Sequence, residues 1–406
     1  MRKWFYILCL MLIGALPVNA GGPPWSAWLY DAENGQVVLV GADGSAMSTL
    51  DLPMGQGFNL PPQNVAVSRS GTLIAFMATN GDTQDRQFRV FDTVGQSIKV
   101  AYNLPKAVAE STSLHADEGI FSDTEREAAI GYALDGGRWE VAAFDIASGQ
   151  PLKTLTSDAV KDVQAGGALV PVVVSFNQQA VTFLLVAAFT ETQPGYLSFT
   201  WSLNDNSVQP APAYTTLEFD LFQPTGEMVR AAVHPALPNQ AAAFTYFQAN
   251  ALDVYLPDTG ETFSFYNAPE RTLYQPHFVE QGKRILAAAV DQEGNTVYRL
   301  IERDGKVSSA FEAPGLNGLR GLTDGFLYSA EADGASRLVY VNTTGGSLNA
   351  QVVWSSGAGQ PFRLVWAGDR RIAPVGPFTA WTRLDAEATP EATATPEATA
   401  TPVGEG

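Results

Sequence analysis

Three histidines, His115, His234 and His277, are the only imidazoles in the chain, and no two of them lie within 40 residues of each other. A general base needs a nucleophile within hydrogen-bond reach and a third group to orient it. Nothing near these histidines supplies that set. His115 sits in a polar Ser-Leu-His-Ala-Asp-Glu loop, whereas His234 and His277 fall at the turns of apolar repeats, where an ordinary turn or core role is expected. A nucleophile elbow requires Gly-x-Ser-x-Gly, and Gly95-Gln96-Ser97 and Gly346-Ser347 both lack the closing glycine. No Walker loop and no Gly-x-Gly-x-x-Gly occurs, so no catalytic residue and no cofactor-binding residue is assigned.

Oxygen donors for a hard cation are more plentiful. Asp82 and Asp85 in NGDTQD, Asp291 and Glu293 in DQEGN, and Asp117, Glu118, Asp123, Glu125 and Glu127 in one acidic stretch could offer carboxylates. None follows the spacing of a calcium loop, and turns select Asp and Asn for their own backbone reasons. The metal question stays open at this level. Aromatic faces can stack on sugars, but Trp25, Trp28, Trp139, Trp201, Trp354 and Trp366 lie in or beside apolar runs, where core packing is the commoner role.

Those residues must be positioned by something, and composition narrows what. The chain has 406 residues, 46% hydrophobic and 16% charged, with 37 glycines and 25 prolines, which is globular composition rich in turns. Forty-two acidic against 24 basic side chains give a net charge of −18, which disfavours nucleic acid and anionic membranes as partners.

The two ends differ from the middle. Arg2 and Lys3 precede an uncharged run from Trp4 to Leu16, and Val18 and Ala20 put small side chains before a cleavage site, the pattern of a secretory signal over residues 1–20. A helix of that run covers about 20 Å, too short for a roughly 30 Å hydrocarbon layer. Cys9, the single cysteine, lies within it, so the mature chain has no disulfide and no thiolate chemistry. At the other end, AEATPEATATPEATATPVGEG over residues 386–406 has no aromatic or basic side chain and is expected to be an extended, solvated spacer. The expected location is extracytoplasmic, without membrane insertion and as a monomer.

Between them, residues 21–385 repeat one unit. An apolar strand, a turn with Asp or Asn and usually Gly, and a second alternating strand recur seven times, beginning at Val37, Arg89, Val141, Leu197, Leu252, Tyr298 and Leu338. The turn residues Gly44, Gly95, Gly149, Asn206, Gly260, Gly305 and Gly345 are 40 to 57 residues apart. Six of these hairpins are preceded by a second strand pair, such as VAVSRSGTLIAFMA from Val65 and HFVEQGKRILAAAV from His277. The first hairpin lacks one upstream, and PFRLVWAGDRRIAPV from Pro361 has no hairpin after it. That asymmetry predicts that the C-terminal strand completes the N-terminal sheet.

NVAVSRSGTLIAFMA, PHFVEQGKRILAAAV and VYRLIERDGKVSSAF resemble the repeats of WD-repeat-like and TolB-type bacterial exported β-propellers. The resemblance implies an all-β propeller of seven four-stranded antiparallel blades, closed by pairing of the N- and C-terminal strands; the irregular stretch from Ser175 to Pro212 leaves six or eight blades open. Because loops between blades create a binding surface and no catalytic set is visible, a non-catalytic binding module for a protein, peptide or glycan is expected. The alternative is a secreted propeller hydrolase or lyase that uses acidic residues near the central channel.

Overall fold

The second strand of several repeats is almost wholly apolar, as in LIAFMAT and RILAAAV, which suits a strand covered on both faces. The outermost strands alternate instead: in Ala46–Asp51 exposed residues take turns with half-buried ones. The computed structural model shows the assembly that these patterns build. It describes residues 24–105, 120–160, 169–177, 179–187, 196–210, 232–233, 242–244, 250–256, 259, 261–313, 316–344, 348–371 and 380–384.

The described strands form seven antiparallel sheets. Sheet one joins both ends of the chain: Phe362–Asp369 pairs with Trp25–Asp31, which pairs with Gln36–Gly41 and then Ala46–Asp51. Its first partnership runs from Trp25 opposite Asp369 to Asp31 opposite Phe362, with a bulge at Trp28 and Leu29. The other six sheets follow in chain order, and their leading strands are Val65–Val67, Glu127–Ala133, Leu169–Asn177, Ala232–Val233, Thr272–Val279 and Leu316–Leu322.

Among the described residues sheet three has three strands where four were expected. Only a bridge between Phe121 and Ala128 stands where its fourth strand would lie, because Ser122 and Glu127 turn the chain back through side-chain hydrogen bonds. The expected turns are found at Gly44, Gly149 and Gly305 with left-handed φ, and at Asn206 with φ of 63°. In the second repeat the left-handed residue is Gln96 rather than Gly95. Gly260 and Gly345 lie outside the described residues.

Apolar cores fill the spaces between sheets. Separate clusters join sheets one and two around Trp28 and Phe76, two through four around Phe144 and Phe183, five and six around Phe265, six and seven around Phe326, and one and seven around Leu29 and Leu327. Each such large apolar side chain contributes roughly 1.5–3 kcal/mol by leaving water. Among the described residues no cluster spans sheets four and five.

The hairpin turns add a recurring contact. A Cβ on Gly149 of sheet three would lie 2.4 Å from the Lys99 carbonyl oxygen on sheet two, and one on Gly305 of sheet six 2.3 Å from that of Phe265 on sheet five. Gly44 of sheet one makes the same approach to Val353 of sheet seven, at 2.1 Å. Only a residue without a side chain fits, so glycine is required here twice over, for its φ and for the space. No described helix is long and apolar enough to cross a membrane.

Candidate functional site

Side chains of the acidic turns bond within the turns themselves. Asn80 Oδ1 accepts hydrogen bonds from Asp82 N and Thr83 N at 2.8 and 2.9 Å, and Asp85 accepts one from Thr83 Oγ1 at 2.8 Å. Asp291 accepts from Glu293 N at 3.1 Å and Asn295 N at 2.8 Å. The side-chain acceptor fixes the turn, which is why the sequence places Asp and Asn there. These two groups lie on sheets two and six, and among the described residues no three histidines or carboxylates converge on a metal position. His115, His234, Asp117 and Glu118 lie outside the described residues.

Other carboxylates join one sheet to the next. Glu125, in the turn before sheet three, accepts from Ser70 N at 2.6 Å and from Ser70 Oγ and Ser68 Oγ at 2.5 and 3.1 Å, all on sheet two. Glu127 accepts from Ser122 Oγ at 2.6 Å. Asp123 takes part through its backbone, donating its N–H to the Phe176 carbonyl of sheet four at 3.1 Å. Between sheets six and seven, Glu280 accepts from Thr343 Oγ1 and pairs with Arg284 at 3.5 Å.

The firmest of these junctions lies just beyond the C-terminal strand. Arg371 donates to Asp324, through Nη1 and through Nη2 at 2.7 Å, and to Asp369 Oδ1 and Oδ2 at 2.9 and 2.7 Å. Asp369 also accepts from Thr323 N at 2.8 Å. Burial opposes its charge, yet the bonds from Arg371 and Thr323 prevail and hold its carboxyl below the usual range.

The tryptophans do not form a stacking platform. Trp25, Trp28, Trp139, Trp201 and Trp366 are buried. Trp28 Nε1 donates to Gly71 O at 2.8 Å and Trp201 Nε1 to Asn206 Oδ1 at 2.9 Å, and Trp354 stands edge-on to Phe362. Trp381, which the sequence reading passed over, anchors the segment 380–384. It meets Phe265 and Phe278 edge-on, and Arg303 lies over its ring at 4.9 Å. Thr382 N donates to Arg303 O, and Leu384 N to Ser264 O. The chain therefore ends its described course across sheets five and six.

A basic constellation occupies three neighbouring leading strands. His277 is within the strand Thr272–Val279, at a bulge, and not at a turn as the repeat pattern suggested. Desolvation, aided by the Arg320 charge, pulls its imidazole down to about 4, so it is neutral at pH 7. Arg320, on sheet seven, donates to its neighbour Leu319 O and across to Val365 O of sheet one, both at 2.8 Å. Arg363, on sheet one, reaches on toward sheet two, with Nη2 donating to Gln63 O and Asn64 Oδ1 at 2.7 and 2.8 Å. Its guanidinium lies over the Tyr30 ring, and its buried Nε–H has no acceptor. Sequence reading missed both arginines because each is a lone cation in an otherwise apolar strand. Their recurrence at successive C-terminal leading strands was the available signal.

No protein-family model matches the sequence, and no curated protein matches it. Solved structures do, at low identity. The chain is similar to a structure from a study of two prolyl endopeptidases, with a TM-score of 0.52 at 13% identity over 86% of this chain and 55% of that one. It therefore spans about half the length of that chain. It is also similar to the β-propeller domain of the Trilobed protease from Pyrococcus furiosus (TM-score 0.47, 13% identity, 78% of this chain and 86% of that one). TolB from Acinetobacter baumannii matches more loosely (TM-score 0.36, 13% identity, 73% and 65%). The architecture is all-β and of propeller type.

Proposed function

We propose that this chain is an exported β-propeller that acts as a non-catalytic binding scaffold for a protein, peptide or glycan. One observation carries the reading: several of the described carboxylates are committed to turns or to junctions between sheets, as at Asp291, Glu125 and Asp369. A group held by two or three internal donors serves to fix loops, and fixed loops on a rigid body make a recognition surface.

In this reading residues 1–20 direct export, 21–385 form the propeller and 386–406 serve as a spacer. The seven sheets are seven blades of one ring, closed where Phe362–Asp369 joins Trp25–Asp31. The equivalence of the Gly44–Val353 contact to Gly149–Lys99 and Gly305–Phe265 supports the ring, since sheet one meets sheet seven as consecutive sheets meet each other. The scaffold is monomeric, binds no nucleic acid and does not insert into a membrane.

The test uses the mature protein, with and without residues 386–406, as bait for the native envelope and medium, in parallel with assays against glycan and peptide reporters. The expected result is a retained partner and no turnover. Product formation that is lost in Glu125→Gln or Asp291→Asn would instead establish a hydrolase or lyase.

A further inference from the structure

Residues 380–384 are seated as a bound peptide is. They lie on sheets five and six, although the strand before them in the chain, Phe362–Asp369, belongs to sheet one. Ala380 and Thr382 are exposed, and the Trp381 ring between them reaches inward. It packs against the apolar cluster of sheets five and six, edge-on to Phe265 at 4.8 Å and to Phe278 at 6.3 Å. Arg303 covers the ring, and its guanidinium is held independently by Gly282 O at 3.2 and 2.7 Å. The wall of the groove is therefore preorganised by bonds that Trp381 does not make, which lowers the cost of filling it.

The backbone of the segment is recognised at alternate residues. Thr382 N donates to Arg303 O at 3.1 Å and Leu384 N to Ser264 O at 2.9 Å, the spacing at which an extended chain presents its N–H groups to one side. Ser264 lies on Glu261–Asn267, the outer strand of sheet five, and the free edge of a sheet is where an extended peptide can add. Arg383 stands over the Phe263 ring at 4.9 Å and pairs with Glu261 at 3.7 Å, with both charged side chains more than half exposed. So open a pair adds little affinity and serves to select the sign of the charge. An aromatic anchor, two backbone bonds and a cation site make up the groove, and none of them needs a covalent link to sheet one.

We propose that the seam between sheets five and six is a binding site for a short extended peptide that carries Trp and, two residues on, Arg, and that residues 380–384 occupy it as an internal competitor. The proposal rests on the binding-scaffold reading and names a peptide as its ligand. A cationic ligand also suits the net charge of −18. Covalent attachment gives the internal segment a high effective concentration, which a free peptide must overcome and which loss of the Trp381 anchor removes.

The test titrates a fluorescein-labelled, amidated Ala-Trp-Thr-Arg-Leu peptide with the mature chain and with its Trp381→Ala variant, following polarisation. Trp381→Ala should bind the peptide saturably, and the wild-type chain should need a concentration about tenfold or more higher for half-saturation. A peptide with Ala in place of Trp should not bind, and one with Glu in place of Arg should bind more weakly. No saturation with either chain, or equal half-saturation with both, would overturn the proposal. If Trp381→Ala fails to fold, Arg383→Glu decides: the change is at an exposed side chain and sets the internal segment against Glu261, so the peptide should bind more tightly than to wild type, and equal binding counts against the site. A wild-type dimer that Trp381→Ala abolishes would put the segment in a second copy and overturn its assignment as an internal competitor. Cleavage of the peptide would sink the scaffold reading and leave the groove standing; a partner captured equally by both chains, with no peptide bound, would do the reverse.

Discussion

Arg371 grips Asp324 across a sheet boundary, with both Nη atoms donating to the two carboxylate oxygens, while the same guanidinium holds Asp369 at the end of the C-terminal strand. One side chain thus ties the leading strand of sheet one to the turn of sheet seven. Bidentate, charge-assisted bonds of this kind are stronger than neutral ones. Arg371→Ala should lower the unfolding free energy by about 1–3 kcal/mol, measured by urea denaturation. A loss no larger than that of exposed Arg383→Ala would show that the junction is idle.

The same junction predicts acid sensitivity. The folded pKa of Asp369 lies below its unfolded value of about 3.9. Its contribution is therefore present above pH ~4 and is lost as the pH falls through the folded value. Asp369→Asn should be less stable at pH 7 and should flatten the stability profile below pH ~4. A parallel profile would count against the clamp.

His277 acts in a different window. Its folded pKa of about 4 lies below the unfolded value of 6.5, so the unfolded chain takes up the proton first. Stability should decline as the pH drops from 6.5 to about 4 and level off below. His277→Gln should remove that slope, worth on the order of 3 kcal/mol in full, as read from melts at fixed ionic strength. Retention of the slope would place the ring in water.

Glycine replacements separate backbone strain from crowding. Gly44 and Gly136 both have left-handed φ, 80° and 77°, but a Cβ on Gly44 meets the Val353 carbonyl whereas one on Gly136 meets nothing within 4 Å. Gly136→Ala should cost about 1 kcal/mol and Gly44→Ala roughly 1–3 kcal/mol more. Equal costs in thermal melts would remove the contact between sheets one and seven from the account.

The end of the chain gives the last comparison. Deleting 386–406 should leave the melting temperature unchanged. Trp381→Ala should lower stability by about 2–4 kcal/mol, since it empties a half-buried site between Phe265, Phe278 and Arg303. A silent Trp381→Ala would mean that the segment merely rests on the surface.

Much of this fold is legible in the residues. The outer hairpins are read from Gly44, Gly149 and Gly305 because a left-handed turn leaves few other choices. The partnership of Phe362–Asp369 with Trp25–Asp31 follows from an odd strand at each end. Sheet three is harder to read, since among the described residues a bridge and hydrogen bonds of Ser122 and Glu127, which have no periodic signature, stand at its inner edge. The basic constellation is hidden for a related reason. His277, Arg320 and Arg363 are 43 residues apart in each step, and only the pairing of strands makes them neighbours. Trp381 is a single aromatic in a stretch without repeat character, so nothing local marks it as an anchor.

The shared sheet at the chain ends also sets an order of events during biosynthesis. Trp25–Asp31 leaves the ribosome early, yet its partner Phe362–Asp369 emerges more than 300 residues later. Until then a nascent molecule carries an unmatched apolar edge that invites wrong pairing. A chain cut short before Phe362 lacks that partner and should be more open to proteases than the full chain.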